Sequence, residues 1–243
     1  MNIFSDLIDA VYPPRCHICH DFLQCGQPEN GSGFFCQACS DDFNPITSPI
    51  CPVCSAPLDA SQEDHWCEDC LRKRPHYEAT HACYLYDGAV MDVIHQFKYG
   101  AKSYLSESLG PLFAQFTGNL FLKSDKLLTM PVPLHPKRLR ERGFNQSLLL
   151  ARHVAVQLGT DLDFLSLRRI KYTSPQTGLG KEERRKNVRN AFQLTHSEAV
   201  KGKTVLLVDD VATTGNTLNE CARILKKSGS RDVFCLVLAR AGF

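Results

Sequence analysis

Apolar residues recur along this chain at two spacings, and the spacing predicts where helices and strands lie. Residues 3–11 place apolar side chains at helical intervals. Beyond residue 80 the predicted strands are Ala82–Tyr86, Leu127–Val132, Val205–Val208 and Val233–Ala239. The predicted helices are Val90–Phe97, Leu105–Phe116, Gln146–Leu158 and Thr217–Lys227. Strands that alternate with helices in this way are typical of an α/β domain with a mainly parallel sheet.

Composition favours a folded protein outside the membrane and secreted classes. The 243 residues are 43% hydrophobic and 22% charged, which are ordinary values for a globular protein and argue against disorder. A transmembrane helix needs roughly 20 apolar residues, and because the sequence has no such stretch we expect no membrane insertion. Asp6 stands where a signal peptide would carry Lys or Arg, so we expect a cytoplasmic location.

Charge is distributed unevenly along the chain, although the net charge is only +2. Residues 1–79 carry four basic and twelve acidic side chains, whereas residues 131–190 carry 13 basic and five acidic ones. This contrast predicts two modules, residues 1–75 and 76–243, and it indicates that the larger module binds an anionic ligand. A solvated face of Lys and Arg side chains would explain the same charges.

The cysteines indicate metal binding in the first module. Eight of the twelve form C-x-x-C pairs, namely Cys16/Cys19, Cys36/Cys39, Cys51/Cys54 and Cys67/Cys70. Two such pairs complete a tetrahedral site of four thiolates, so we predict two structural zinc ions. Consecutive pairing and a cross-braced pairing are both open at this stage. Iron–sulfur ligation uses the same ligands, whereas disulfides would require an oxidising compartment.

The segment from Lys203 to Thr217 carries the chemistry of a phosphorylated sugar site. An apolar strand ends in Asp209 and Asp210, and a small turn leads into a helix. Free N–H groups at such a turn bind anions, and a glycine allows close approach of the backbone. Carboxylates accept hydrogen bonds from vicinal ribose hydroxyls, so both groups fit one phosphorylated ribose. The residues of the turn are Val211, Ala212, Thr213, Thr214, Gly215, Asn216 and Thr217.

This segment closely resembles the phosphoribosyl pyrophosphate (PRPP) loop of type I phosphoribosyltransferases, through Asp209-Asp210-x-x-x-Thr214-Gly215-x-Thr217. With the cysteine module in front, and with segments 131–146 and 176–192, the whole chain resembles the ComF/GntX family. The resemblance implies a type I phosphoribosyltransferase-like α/β fold, a mainly parallel sheet with flanking helices, preceded by a small module of zinc ribbons.

The resemblance also implies roles for individual residues. Asp209 and Asp210 would bind ribose as the catalytic candidates, and the turn would hold the 5′-phosphate of PRPP, which carries Mg²⁺. Pro133 and Leu134 fall in the pyrophosphate loop. Further candidates for pyrophosphate binding or for a flap over the site are His135, Arg142, Asn145, Gln146, Gln176, Lys181, Arg184, Arg185 and Asn187.

Three functions are open at this stage. The first is a phosphoribosyltransferase linked to DNA uptake in natural competence or to DNA utilisation, as the resemblance implies. The second is a protein that handles single-stranded DNA, since Phe144, Tyr172 and Phe192 lie in or beside the basic segment and aromatic rings stack bases. The third is a regulator that senses PRPP or a nucleotide. Partners from DNA uptake or replication fit the first two.

Overall fold

The computed structural model describes residues 12–23, 34–59, 63–119, 126–173 and 186–241. The helix predicted over residues 3–11 lies outside these ranges. Five strands form one parallel sheet in the order β1-β7-β6-β2-β3, and β4 and β5 form a separate antiparallel pair. The strands are β1 (Ala79–Leu85), β2 (Leu127–Pro131), β3 (Asp161–Leu162), β4 (Leu167–Arg169), β5 (Phe192–Leu194), β6 (Thr204–Ala212) and β7 (Asp232–Arg240).

The helices of the described residues include all four that the apolar spacing predicts beyond residue 80. They are α1 (Gln37–Asp41), α2 (Glu68–Arg72), α3 (Gly88–Tyr99), α4 (Leu105–Gln115), α5 (Pro136–Arg142), α6 (Gln146–Leu158) and α7 (Asn216–Lys227). Helix α6 has the predicted bounds because both of its ends are encoded locally. The Asn145 side chain accepts a hydrogen bond from the N–H of Ser147, and Gly159 takes the left-handed conformation that ends a helix.

Strand β6 lies inside the sheet and buries both of its faces. Val205 and Leu207 pack in one apolar cluster with residues of α7, whereas Leu206 and Val208 pack in a second cluster with α3, α4 and α6. The chain leaves β6 through α7 towards β7 and leaves β2 through α6 towards β3. Because these neighbouring strands lead in opposite directions, a crevice opens at their carboxyl ends, where open α/β sheets bind ligands.

The cysteine segments pack on both sides of this sheet. Cys16 belongs to the cluster with α3 and α4, and the Asp42 carboxylate accepts a hydrogen bond from the N–H of Ala89 at 2.7 Å. Cys51 and Cys70 belong instead to the cluster with α7. The module boundary near residue 75 stays a prediction. Among the described helices, none has the length and apolar character needed to cross a bilayer.

Candidate ligand pocket and cysteine sites

Two carboxylates end the buried part of β6 at the crevice. Asp209 and Asp210 are only 9% and 3% exposed. Asp209 Oδ1 accepts a hydrogen bond from the hydroxyl of Ser147 at 2.7 Å and another from the N–H of Asp210 at 3.0 Å. Ser147 stands in the first turn of α6, so the helix start that Asn145 caps also orients the first acid.

Asp210 is held by a lysine from another part of the chain. Its Oδ1 accepts a hydrogen bond from the N–H of Val211 at 2.7 Å, and its Oδ2 lies 3.0 Å from Nζ of Lys98. Lys98 stands in the last turn of α3, and its side chain is 18% exposed. A cation near a helix C-terminus is favourable in itself, so the sequence gives no sign that this lysine reaches the acid pair.

The two acids and the lysine change one another's proton affinity. Burial, followed by the negative charge of Asp210, raises the pKa of Asp209 from 3.8 to about 7. Burial alone would lower the pKa of Lys98, but the carboxylates of Asp210 and Asp209 outweigh that effect and raise it. The ammonium therefore stays charged at neutral pH and offsets part of the negative charge.

The predicted phosphate turn follows the acids directly. Gly215 has a φ of +69° and precedes the first residue of α7. A Cβ built on Gly215 would lie 3.2 Å from the hydroxyl oxygen of Tyr77, so a glycine both permits the conformation and leaves room for the tyrosine. Among the described residues, Oγ1 of Thr214 and Nδ2 of Asn216 are buried polar atoms without a hydrogen-bond partner. A buried polar atom without a partner needs an explanation, and a bound ligand would supply one at this turn.

A cavity of about 280 Å³ connects the acids, the turn and a cluster of cations. Six of the seven residues of the turn line it, all except Thr214. The lining is Tyr86, Lys98, Tyr99, Val132, Pro133, Leu134, Arg138, Arg142, Gln146, Ser147, Arg169, Asp209, Asp210, Val211, Ala212, Thr213, Gly215, Asn216, Thr217 and Leu218.

Three guanidinium groups, of Arg138, Arg142 and Arg169, line the cavity together with the acids and the turn. Nη1 of Arg142 donates to Oε1 of Gln146 at 2.5 Å, and burial lowers the pKa of Arg142. Arg169 ends β4, where Nη2 donates to the hydroxyl of Thr173 at 2.5 Å. In the sequence Arg138 and Arg169 are indistinguishable from the other cations of the basic segment, because nothing local shows which of these side chains turn inward.

Several predicted site residues lie elsewhere. His135 caps α5, where its Nδ1 accepts from the N–H of Lys137 at 3.2 Å. The side chain of Asn145 donates to the carbonyl of Val132 at 3.1 Å. These two residues and Asn187 are outside the cavity lining. The predicted flap residues Gln176, Lys181, Arg184 and Arg185 lie outside the described ranges.

The eight paired cysteines form two sets in consecutive order rather than a cross-braced arrangement. Within each set every Sγ lies within 4.8 Å of the others: Cys16, Cys19, Cys36 and Cys39, then Cys51, Cys54, Cys67 and Cys70. The Sγ atoms of Cys19 and Cys36 are 3.6 Å apart, and those of Cys54 and Cys67 are 3.7 Å apart. A tetrahedron with Zn–S bonds of about 2.3 Å has S···S edges of about 3.8 Å. The residues therefore fit two zinc ions that have no open coordination position.

Comparison with known proteins matches two parts of the chain to two family models. Residues 7–71 match the family model described as a double zinc ribbon domain, and residues 145–242 match the phosphoribosyl transferase domain. The fold and the paired cysteine sites thus define a phosphoribosyltransferase-type domain that carries a double zinc ribbon.

Relatives that match most of the chain identify its family within this class. It is 32% identical to competence protein F of Haemophilus influenzae over 93% of this chain and 97% of that protein. It is 32% identical to DNA utilization protein YhgH of Salmonella typhimurium, over 83% of this chain and 88% of that one. Competence protein ComFC of Streptococcus pneumoniae is 26% identical over 87% of this chain and 90% of its own length. The chain belongs to the ComF family.

Proposed function

We propose that the cavity binds PRPP and that this binding serves DNA uptake or utilisation. Asp209 and Asp210 accept hydrogen bonds from the ribose hydroxyls, and the N–H groups from Thr213 to Thr217 hold the 5′-phosphate. Arg138, Arg142 and Arg169 face the pyrophosphate. The observation that carries the proposal is the placement of a buried acid pair, an anion-binding turn and three guanidinium groups around one cavity.

The acid pair restricts the class of ligand. A bare phosphate or polyphosphate next to Asp209 and Asp210 would be repelled by their carboxylates, even though the pairing of Lys98 with Asp210 reduces the charge. A ribose between the phosphate groups places hydroxyl donors against these oxygens and keeps the anionic groups near the turn and the arginines. A phosphorylated ribose therefore satisfies both halves of the cavity.

Magnesium enters this proposal with the ligand. Among the described residues, the groups of three or more side chains able to hold a metal are the two cysteine sets. Asp210 Oδ2 is already 3.0 Å from an ammonium nitrogen. Since Mg²⁺ in phosphate sites is held by one or two carboxylates together with substrate oxygens, PRPP would bring the ion and most of its ligands. The ion would neutralise pyrophosphate charge.

The biological setting comes from the relatives, whose names refer to competence and DNA utilisation. We assign the same setting to this chain and place it in the cytoplasm, because a reducing compartment keeps cysteines as thiols that are available to bind zinc.

Calorimetric titration of PRPP with Mg²⁺ into the zinc-loaded full chain tests the ligand. The wild type should bind, and the double variant Asp209→Asn/Asp210→Asn should bind at least about 100-fold more weakly, because hydrogen bonds to charged groups contribute about 1.5–3 kcal/mol each. Asp163→Asn is the matched control, since Asp163 accepts from backbone N–H groups in the loop after β3 and is outside the cavity lining. Absence of binding by the wild type would refute the proposal.

One observation favours a second candidate, the binding of single-stranded nucleic acid. The ring of Tyr172 is 45% exposed, and Nζ of Lys137 lies 4.4 Å from its centroid, which is a surface suited to base stacking and phosphate contact. The other two aromatic residues expected to stack bases do not offer a comparable ring. Phe192 is buried, and Phe144 stacks on Phe97. Tyr172→Ala should weaken oligonucleotide binding, and a flat salt dependence of the affinity would exclude this candidate.

A further inference from the structure

Arg240 connects the sheet with the second cysteine site, which consists of Cys51, Cys54, Cys67 and Cys70; the first site consists of the four earlier cysteines. It ends β7 and is 3% exposed. Its Nη2 donates a hydrogen bond to Sγ of Cys54 at 3.6 Å. Four thiolates around Zn²⁺ leave a net charge of about −2, and a buried charge needs a partner. Groups that hydrogen-bond to metal ligands commonly tune metal affinity, and Arg240 has both the charge and the position for this role.

The backbone of the same residue lies beside the phosphate turn. Arg240 pairs with Ala212, the last residue of β6, and the N–H of Ala241 donates to the carbonyl of Ala212 at 2.9 Å. The carbonyl of Arg240 also accepts from the N–H of Tyr86 at 2.8 Å. The main chain of Arg240 therefore fixes the first part of the turn, while its side chain reaches the zinc ligand.

Two further contacts join the second site to the other end of the turn. The buried Tyr77 belongs to the same apolar cluster as Cys51 and Cys54, and its hydroxyl faces Gly215. The N–H of His76 donates to Oδ1 of Asn219 at 2.7 Å, in the first turn of α7. The second site is thus linked to the phosphate turn before and after its glycine.

The first site lies on the opposite face of the sheet and is attached to other elements. Nδ1 of His17 is 3.1 Å from the hydroxyl of Ser108 in α4, and Gln96 of α3 donates to the carbonyl of Ile18 at 3.4 Å. These contacts of the first site are with α3 and α4 rather than with the phosphate turn. This difference gives the chain an internal comparison between its two metal sites.

We infer that Arg240 positions the phosphate turn by anchoring it to the second zinc site, so that metal affinity at this site and ligand affinity at the turn are coupled. Such a coupling is reciprocal, so a bound ligand must strengthen metal binding at the second site by the same factor by which the metal strengthens ligand binding. The ligand half of the inference rests on the proposed function, whereas the metal half does not.

The test uses the full chain with ¹¹³Cd in both cysteine sites. Each ¹¹³Cd resonance is assigned through its couplings to the cysteine Hβ protons, and chelator competition then gives the affinity of each site separately. The proteins compared are the wild type, Arg240→Met, Arg240→Lys and the control Arg152→Met, which changes an exposed arginine of α6. PRPP affinity is measured on the same four samples.

Arg240→Met should lower metal affinity at the second site by about 10–100-fold and leave the first site unchanged. It should also weaken PRPP binding about fivefold or more, with partial recovery in Arg240→Lys and no change in Arg152→Met. In the wild type, saturating PRPP should shift only the resonance of the second site and slow its loss of metal. This last measurement needs no variant, so a variant that fails to fold does not remove the test.

Equal effects on both metal sites, or none, would overturn the inference. So would a loss of metal affinity at the second site that leaves PRPP affinity unchanged. If the wild type does not bind PRPP, the proposed function fails, and the link is decided by hydrogen exchange of the Asn219 amide, which donates to the carbonyl of Gly215 at 2.9 Å. Faster exchange there in Arg240→Met than in Arg152→Met supports the link, and equal exchange refutes it.

Discussion

Replacing Asp209 with asparagine should make the protein more stable while it removes ligand binding. Asparagine keeps an oxygen that can accept from Ser147 and from the N–H of Asp210, but it carries no charge. The folded state raises the pKa of Asp209 from 3.8 to about 7, and such a rise corresponds to a cost of about 4 kcal/mol for the ionised form. This figure is an upper limit for the gain in stability.

The sign of the pH dependence follows from proton binding. Between about pH 4 and pH 7 the folded protein holds a proton on Asp209 that the unfolded chain has released, so the stability of the wild type falls as the pH rises through this window. Above pH 7 both states are ionised and the cost is complete. The advantage of Asp209→Asn should therefore grow from pH 5.5 to about pH 7.5 and then become constant.

Urea unfolding of zinc-saturated protein across this pH range measures the difference. Asp163→Asn serves as a control in which the change in stability should have the opposite sign. In the wild type, partial burial acts to raise the pKa of Asp163, but hydrogen bonds from the N–H groups of Leu165 and Ser166 outweigh it and lower this pKa. That variant should lose stability near neutral pH. An Asp209→Asn protein no more stable than the wild type at pH 8, or an advantage that does not vary with pH, would show that the buried charge is not costly.

Three further predictions concern the lysine, the glycine and the metal. Lys98→Met should lose about 3–5 kcal/mol of unfolding free energy, because it leaves a buried carboxylate unpaired; adding Asp210→Asn should restore part of this, and simple additivity in the double variant would contradict the pairing. Gly215→Ala should weaken PRPP binding in calorimetry, since its φ of +69° and the nearby Tyr77 hydroxyl disfavour a Cβ. Chelation of both zinc ions should unfold the cysteine segments, which circular dichroism and thermal melting would detect; an unchanged melting curve would refute a structural role.

Features encoded by neighbouring residues could be predicted from the sequence. Helix α6 is bounded by its own asparagine cap and its own glycine, so local rules give both ends. Strand β6 is recognisable because it is buried on both faces and is therefore continuously apolar. The prediction of Val205–Val208 is too short, because the strand runs from Thr204 to Ala212. Asp209 and Asp210 are charged and yet lie buried within it, which the apolar pattern does not indicate.

Features that depend on distant contacts could not be predicted. Lys98 contacts Asp210 from a helix more than 100 residues earlier in the chain, and its position at the end of that helix already has a local explanation. The consecutive order of the cysteine pairs depends on how each segment packs on the sheet, which spacing alone leaves open. Arg240 at the end of an apolar strand gives no local sign that its side chain reaches a zinc ligand.

The strand order has a consequence for how the chain folds during synthesis. Strand β7 lies between β1 and β6, yet the ribosome makes it after every other strand described. Until it emerges, β1 has no neighbour in the sheet, and the cysteine segments already made have only part of the surface they cover. Folding therefore depends on contacts between residues far apart in sequence, which slows it and exposes unpaired strand edges. A nascent chain stalled before Asp232 should be a substrate for chaperones even when both zinc ions are bound.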